Sequence, residues 1–232
     1  MKLSVIIPVY NEEATIAAII AKVQDVKLPQ DLSREIIIVN DGSKDGTAAI
    51  IDRFNGVPGM IIAHQDNQGK TGALLTGIRA SSGDILIVQD ADLEYDPDQY
   101  PDLLAPILKG ETHVVYGSRF LGSIEGMKPI NRYANMISNL TINLLYGTRI
   151  TDINTCYKMF TRHALKGIDI KGKHFDFDCE VTAKILRKGL SIKEVSIRYV
   201  ARSRSAGKKI KWSTALSMFW KIFQYRFHPP GE

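Results

Sequence analysis

The strongest constraint on this chain is a set of four nearly uninterrupted apolar runs rich in β-branched residues: LSVIIPV (3–9), REIIIVND (34–41), GMIIAHQ (59–65) and DILIVQDAD (84–92). A strand with one wet face alternates apolar and polar residues, whereas a strand covered on both faces reads as a continuous run. Segments with helical spacing separate the runs: NEEATIAAIIAKVQDV (11–26), GTAAIIDRF (46–54) and GKTGALLTGIRAS (69–81), the first opened by Asn11 as an N-cap with acids in its first turn. This alternation specifies a mostly parallel sheet with helices on both faces, the doubly wound α/β class.

The second half is less regular. HVVYGSRF (113–120) and SIKEVSIRYVA (191–201) read as strands, and PINRYANMISNLTINLLYG (129–147) and FDFDCEVTAKILRKG (175–189) as helices. A basic segment, RSRSAGKKIK (202–211), leads into a last helix, WSTALSMFWKIFQYRF (212–227). No repeat or low-complexity linker interrupts the chain, so residues 1–211 are expected to form one domain, with 212–232 an amphipathic helix and tail.

Composition excludes several classes. The formal net charge of +5 is mild; it suits an anionic ligand or an anionic membrane surface, and no nucleic-acid partner is expected. Cys156 and Cys179 form no CxxC pair, which argues for reduced thiols in a cytosolic chain. Pro8 and Asn11-Glu12-Glu13 end the first apolar run too early for a signal peptide, and no segment approaches the roughly eighteen apolar residues of a membrane span. The expected location is cytoplasmic, peripheral on the cytosolic face of a membrane.

In open α/β sheets, ligands bind beyond the carboxyl ends of the strands. Neither GxGxxG nor GxxxxGK[ST] follows the first strand, so a Rossmann dinucleotide and a P-loop phosphate are excluded. The fourth apolar run instead ends in Asp90-Ala91-Asp92. On an extended chain residues i and i+2 project to the same side. Two carboxylates held together repel unless a cation lies between them, and oxygen-only ligands select Mg²⁺ or Mn²⁺. A solvated acidic loop is the alternative; the position at the tip of a buried strand favours the metal.

Taken in order, LSVIIPVYNE, IIIVNDGSKDGT, GKTGALLTGIRASSGD, QDADLEYDP and VVYGSRF resemble glycosyltransferase family 2, with its GT-A fold. DINTCYKMF and RSRSAGKKIKW resemble its dolichyl-phosphate mannose synthase and polyprenyl-phosphate glycosyltransferase branch. The resemblance covers residues 2 to about 220 of the chain. It implies a nucleotide-binding N-terminal half and inverting transfer of one sugar from a nucleotide diphosphate sugar, of GDP-mannose or UDP-glucose type, to a polyprenyl or dolichyl phosphate.

Carried onto this sequence, the resemblance puts Pro8, Tyr10, Glu12, Val39 and Asp41 around the nucleoside, with Asp41 on the base and Glu12 on the ribose or base edge. Asp41-Gly42-Ser43 also reads as a turn with a helix cap. The resemblance lays Gln89, Asp90, Ala91 and Asp92 along the diphosphate, with Asp90 and Asp92 on the metal and Glu94 as a further oxygen ligand. Arg119, Arg202 and Lys208 would neutralise the departing diphosphate. Lys209 replaces Lys208 in the alternative register, because RSRSAGKK departs from the family's R-x-x-G-x-S-K pattern. Asp152 matches the acceptor-side aspartate, so Asp152, Asp92 and Arg119 are the expected catalytic residues. Lys158 and Arg132 are candidates for the acceptor phosphate or are surface charges. Glu180 reads equally well as a carboxylate favoured by a helix dipole.

On a helical wheel, Trp212, Ala215, Leu216, Phe219, Trp220, Ile222, Phe223 and Phe227 fall within roughly 160° of arc, with lysines just before them. Such a face suits an anionic membrane or packing on the domain core. Two other readings compete with the lipid-linked one: a soluble acceptor with the same donor chemistry, and a nucleotide-sugar-binding scaffold without turnover.

Overall fold

The structure, a computed structural model, describes residues 1–29, 31–172, 176–202 and 212–227, for 212–219 the backbone alone. Seven strands form one sheet: β1 (Lys2–Val9), β2 (Ser33–Asp41), β3 (Met60–Gln65), β4 (Ile85–Val88), β5 (Val114–Glu125), β6 (Lys158–Thr161) and β7 (Lys193–Val200), in the order β3-β2-β1-β4-β6-β5-β7. All pairings are parallel except those of β6, which is antiparallel to both β4 and β5. Helices α1 (Ile16–Asp25), α2 (Thr47–Ile51), α3 (Gly69–Ala80), α4 (Tyr100–Leu108), α5 (Pro129–Tyr146), α6 (Arg162–Leu165), α7 (Phe177–Arg187) and α8 (Trp212–Phe227) complete the chain. The core is the one the apolar runs require, with Val5, Ile7, Ile37, Val39, Leu74 and Ile87 fully buried.

The reversed strand matters for the site. Parallel strands deliver only the loops that follow them to the carboxyl edge. Because β6 runs the other way and pairs Ile87 with Met159, the segment before it, residues 150–157, arrives at the tip of β4.

Three expectations need correction. The helix expected from Asn11 begins at Ile16, because Asn11 adopts a left-handed conformation (φ 54°) and turns the chain. Glu12 and Glu13 then serve other loops, Glu13 accepting from the Gly46 N–H at 2.7 Å. The strand expected over 84–92 ends at Val88, so Asp90 and Asp92 stand in the following loop and not on extended chain. The sequence reading also lacked α4, β6 and α6. Pro101 and Pro106 disguise α4, although the first occupies the first turn, where its missing N–H costs nothing. The four residues of β6 are too few to show a period.

Helix α5 is turned inside out relative to an ordinary surface helix. Asn135, Asn139 and Asn143, spaced four apart, face the protein. Their amides hold Asn154, the Thr151 carbonyl and the Ile150 carbonyl. Ile130, Tyr133, Met136, Ile137, Leu140 and Leu144 face outward, Leu144 at 75% exposure. Helix α8 packs on α5 and α7, burying Ile222 and Tyr225 against Ile142, Cys179 and Ala183. Trp220, Phe223 and Phe227 stack along its exposed side. The single apolar face read from the wheel is therefore divided: Ile222 points inward, while Trp220, roughly 160° away around the helix, points out. Lys221 pairs with Asp176 and clips α8 to the start of α7.

Candidate active site

The loop after β4 carries the acidic pair, and each carboxylate has a cation beside it. Lys70 Nζ lies 2.5 Å from Asp90 Oδ1. Arg202 bridges Asp92 (3.5 Å) and Glu12 Oε1 (2.6 Å), and its Nε donates to the Asp92 carbonyl at 3.3 Å. Burial works to discharge Lys70, but Asp90, with Cys156 and Asp178 adding to it, raises its pKa well above the ordinary value. Leu93, between Asp92 and Glu94, takes a left-handed φ of 61°, a conformation that costs a branched residue energy and that marks functional loops.

Beneath this loop lies a buried tyrosine cluster. Gln89 accepts from the Tyr100 hydroxyl (2.7 Å) and the Tyr157 hydroxyl (2.9 Å), and its amide donates to the Asp90 carbonyl (2.9 Å). Its side chain is thus committed to supporting the acidic loop from below and does not line a diphosphate. Val39 and Ala91 are buried too and act as packing. Pro8 is partly exposed at the end of β1, and Tyr10 is exposed just beyond it. Asp41, expected on the base, spends both oxygens at the start of α3. Oδ1 accepts from Gln65 Nε2 (2.7 Å) and the Gln68 N–H (2.8 Å), and Oδ2 from the Gly69 N–H (2.8 Å). Asp41 thus satisfies N–H groups at the start of α3, not of the helix that follows its own turn, and it fixes the helix that presents Lys70.

On the other side of the cleft, Arg119 of β5 is gripped by Asp152: Nε to Oδ2 is 2.7 Å, Nη2 to Oδ1 2.8 Å, and the Arg119 backbone N–H adds a third bond at 3.0 Å. Asp152 is fully buried, so its carboxylate orients Arg119 instead of facing an acceptor. Glu194 holds this turn by accepting from Thr151 N, Thr151 Oγ1 and Asp152 N, all within 3.0 Å; burial raises its pKa. The Arg119 guanidinium lies 5.1 Å from the Tyr199 ring centroid. Burial opposes the charge of Arg119, but Tyr95 and Asp152 outweigh it and push its pKa up.

Glu94 does not turn toward Asp90 and Asp92. Its Oε2 accepts from the Tyr199 hydroxyl (2.9 Å) and its Oε1 from the Arg202 N–H (3.1 Å). Lys158, expected at an acceptor phosphate or on the surface, is fully buried and pairs with Asp178 at 2.5 Å. Glu180 is also buried, capping the Lys171 and Gly172 N–H groups and pairing with Lys184. Arg132 is exposed near the start of α5, with Phe120 beside it. Lys208 and Lys209 lie outside the described residues.

Arg202 therefore joins Glu12 and Asp92, Lys70 meets Asp90 on the same loop, and Tyr199, bonded to Glu94, lies between Arg202 and the Arg119–Asp152 pair. Lys70 was missed, yet a lysine in the first turn of a helix opposes the dipole and could have flagged a functional position. Among the described residues, no three His, Cys, Asp or Glu side chains converge as a closed metal site. Asp90 and Asp92 still fit Mg²⁺ or Mn²⁺, which commonly take one or two carboxylates and complete their shell with substrate phosphates.

Comparison with known proteins bears on the family and the fold. A hexosyltransferase of low-salt glycan biosynthesis from Haloferax volcanii is 28% identical over 99% of this chain, and a dolichol-phosphate mannosyltransferase from Pyrococcus furiosus 28% over 98%. The chain spans 56% and 62% of the lengths of those two relatives. An undecaprenyl-phosphate mannosyltransferase from Micrococcus luteus, 28% identical, is matched over 90% of this chain and 87% of its own. In fold, the chain matches glucosyl-3-phosphoglycerate synthase from Mycobacterium tuberculosis, solved with Mn²⁺, UDP and glucosyl-3-phosphoglycerate. The TM-score is 0.74 at 20% identity, over 97% of this chain and 78% of that one. The profile of glycosyl transferase family 2 matches residues 4–169, and the chain belongs to that family.

Proposed function

We propose that this protein transfers one hexose from a nucleotide diphosphate sugar to a polyprenyl or dolichyl phosphate, with inversion at the anomeric carbon and with Mg²⁺ or Mn²⁺ as cofactor. The observation that carries the reading is an acidic loop at the carboxyl edge of the sheet whose two aspartates each meet a cation, Asp90 with Lys70 and Asp92 with Arg202, while Asp152 grips Arg119. The acceptor phosphate oxygen forms a bond to the anomeric carbon as the bond from that carbon to the diphosphate oxygen breaks, and the nucleoside diphosphate departs. A phosphate monoester is largely ionised near neutral pH, so no strong base is required.

Negative charge grows on the departing diphosphate, and preorganised cations stabilise it without reorganising at the moment of reaction. Arg202 is the first of these, two residues beyond the end of β7. Arg119 stays charged and, through its clamp on Asp152, keeps one orientation. A divalent ion on Asp90 and Asp92 would supply further charge neutralisation. Glu12 is available to a ribose hydroxyl once Arg202 turns to the diphosphate.

The lipid acceptor is supported by the names of the relatives and by α5 and α8. Neither helix contains an acidic residue. Their outward apolar side chains lie beside exposed Lys128, Arg132 and Arg226. An apolar stripe rimmed by cations suits an anionic bilayer surface, on which the protein would be peripheral. Among the described residues no helix is long and apolar enough to cross a membrane.

The test is a panel of UDP- and GDP-sugars incubated with polyprenyl phosphate and Mn²⁺ or Mg²⁺, read by the mass of the lipid product. A metal-dependent lipid-phosphate hexose is expected. Product only on a soluble acceptor would move the reading to the second class, and donor binding without any turnover would reduce the protein to a scaffold.

A further inference from the structure

Three acidic residues follow β4 at alternate positions, and the third breaks the pattern. We propose that Glu94 is a positioning residue that holds Arg202 over the donor site by anchoring the end of β7, and that it is not a ligand of the divalent ion. The inference rests on the transferase reading above and concerns the assembly of its donor site.

Three bonds stitch residue 94 to β7 and its continuation. The Glu94 carbonyl accepts from the Val200 N–H at 3.2 Å, its Oε2 from the Tyr199 hydroxyl, and its Oε1 from the Arg202 N–H. An antiparallel bridge between Tyr95 and Tyr199 extends the seam. On its other side the same stretch is held by β5, where Ile124 pairs with Tyr199 and the Ala201 N–H donates to the Glu125 carbonyl.

The turn at Leu93 explains why neighbouring acids do different work. Its left-handed φ turns the loop between the two acids, and Asp92 meets the Arg202 side chain while Glu94 serves β7. Arg202 closes the ring. Its backbone N–H is held by Glu94, and its side chain returns to the carbonyl and carboxylate of Asp92, two residues earlier. A long cationic side chain rooted in this way loses little freedom when it exchanges Glu12 and Asp92 for a diphosphate.

A carboxylate is the group this junction needs. Both donors, a phenol and a backbone N–H, require an acceptor, and a carboxylate offers only acceptors. Burial, together with the Glu94 charge, keeps the Tyr199 phenol protonated and therefore a donor. Were Glu94 to turn to a metal, both donors would lose their partner. A glutamine in its place can accept one bond but presents its NH₂ to the other donor.

The experiment separates metal from nucleotide. Mn²⁺ binding is measured by electron paramagnetic resonance at saturating UDP or GDP, and nucleotide binding by calorimetry at saturating Mn²⁺. The proteins are wild type, Glu94→Gln, Tyr199→Phe, Arg202→Ala and the Glu94→Gln/Arg202→Ala double variant. We expect Glu94→Gln and Tyr199→Phe to weaken nucleotide binding by about fivefold or more, with Mn²⁺ affinity at saturating nucleotide unchanged within about twofold. Glu94→Gln should add nothing in the Arg202→Ala background, because the two residues act as one unit. A loss of Mn²⁺ affinity of about tenfold in Glu94→Gln, additive penalties in the double variant, or no effect on nucleotide binding would each overturn the inference. A wild-type protein that takes up neither UDP nor GDP with Mn²⁺ would overturn the transferase reading itself, and this inference with it.

Discussion

Arg119 of β5 and Asp152 of the segment before β6 form a three-bond clamp, with both carboxylate oxygens and the arginine backbone engaged. Asp152 is fully enclosed and Arg119 nearly so. Removing one partner strands the other charge. Asp152→Ala should therefore cost about 3–5 kcal/mol of stability in chemical denaturation. Asp152→Asn, which keeps one acceptor oxygen, should cost less. Arg119→Lys should fold but lose transfer, since an ammonium cannot reproduce the fork.

Lys70 competes with any divalent ion for Asp90, which it meets at 2.5 Å. Lys70→Ala should bind Mn²⁺ several-fold more tightly in the absence of nucleotide while transferring sugar more slowly, a split that metal titration and product assay resolve. Asp92→Ala should lower metal-dependent transfer by about a hundredfold or more. Full activity of that variant in the presence of chelator would remove the metal from the reaction.

Acid stability should depend on a residue far from the cleft. Glu35 is buried, which alone would raise its pKa, but hydrogen bonds from Ser4 and from the Ser82 backbone and hydroxyl, with Lys2 nearby, lower it from 4.5 to about 2. A carboxylate with a depressed folded pKa stabilises the fold above its unfolded value. That contribution, on the order of 3 kcal/mol, is lost as the pH falls from about 4.5 toward 2. Urea midpoints measured down this range should drop for the wild type. They should drop less for Glu35→Gln, which starts lower.

The outward faces of α5 and α8 should set membrane affinity. Leu140→Ser, Leu144→Ser and Trp220→Ser remove exposed apolar side chains and leave the core intact. Combined, they should reduce sedimentation with anionic liposomes by about tenfold or more at unchanged melting temperature. Equal sedimentation of variant and wild type would detach these helices from any lipid role.

Much of this arrangement is legible in the sequence, for physical reasons that also mark its limits. Continuous apolar runs announce β1 to β4 because burial on both faces leaves no polar alternation. Asp90 and Asp92 stand out because two carboxylates end one of these runs. The role of Glu94 is not legible, because one backbone torsion at Leu93 decides which way it faces. Nor is the interior placement of Lys158, since its partner Asp178 is twenty positions away on another element. Asp41 shows the same limit: the residue type suits both a base and a helix cap, and only the fold assigns its oxygens to Gln65, Gln68 and Gly69.

The bond between Arg202 and Glu12 joins residues 190 positions apart. Synthesis proceeds from the amino end, so the first half of the sheet can form while the cleft still lacks its principal arginine. A nascent chain that already displays Glu12, Asp90 and Asp92 has an acidic groove with no counter-charge from Arg202. In the proposed reading the donor site therefore gains Arg202 only after every strand of the sheet has been made.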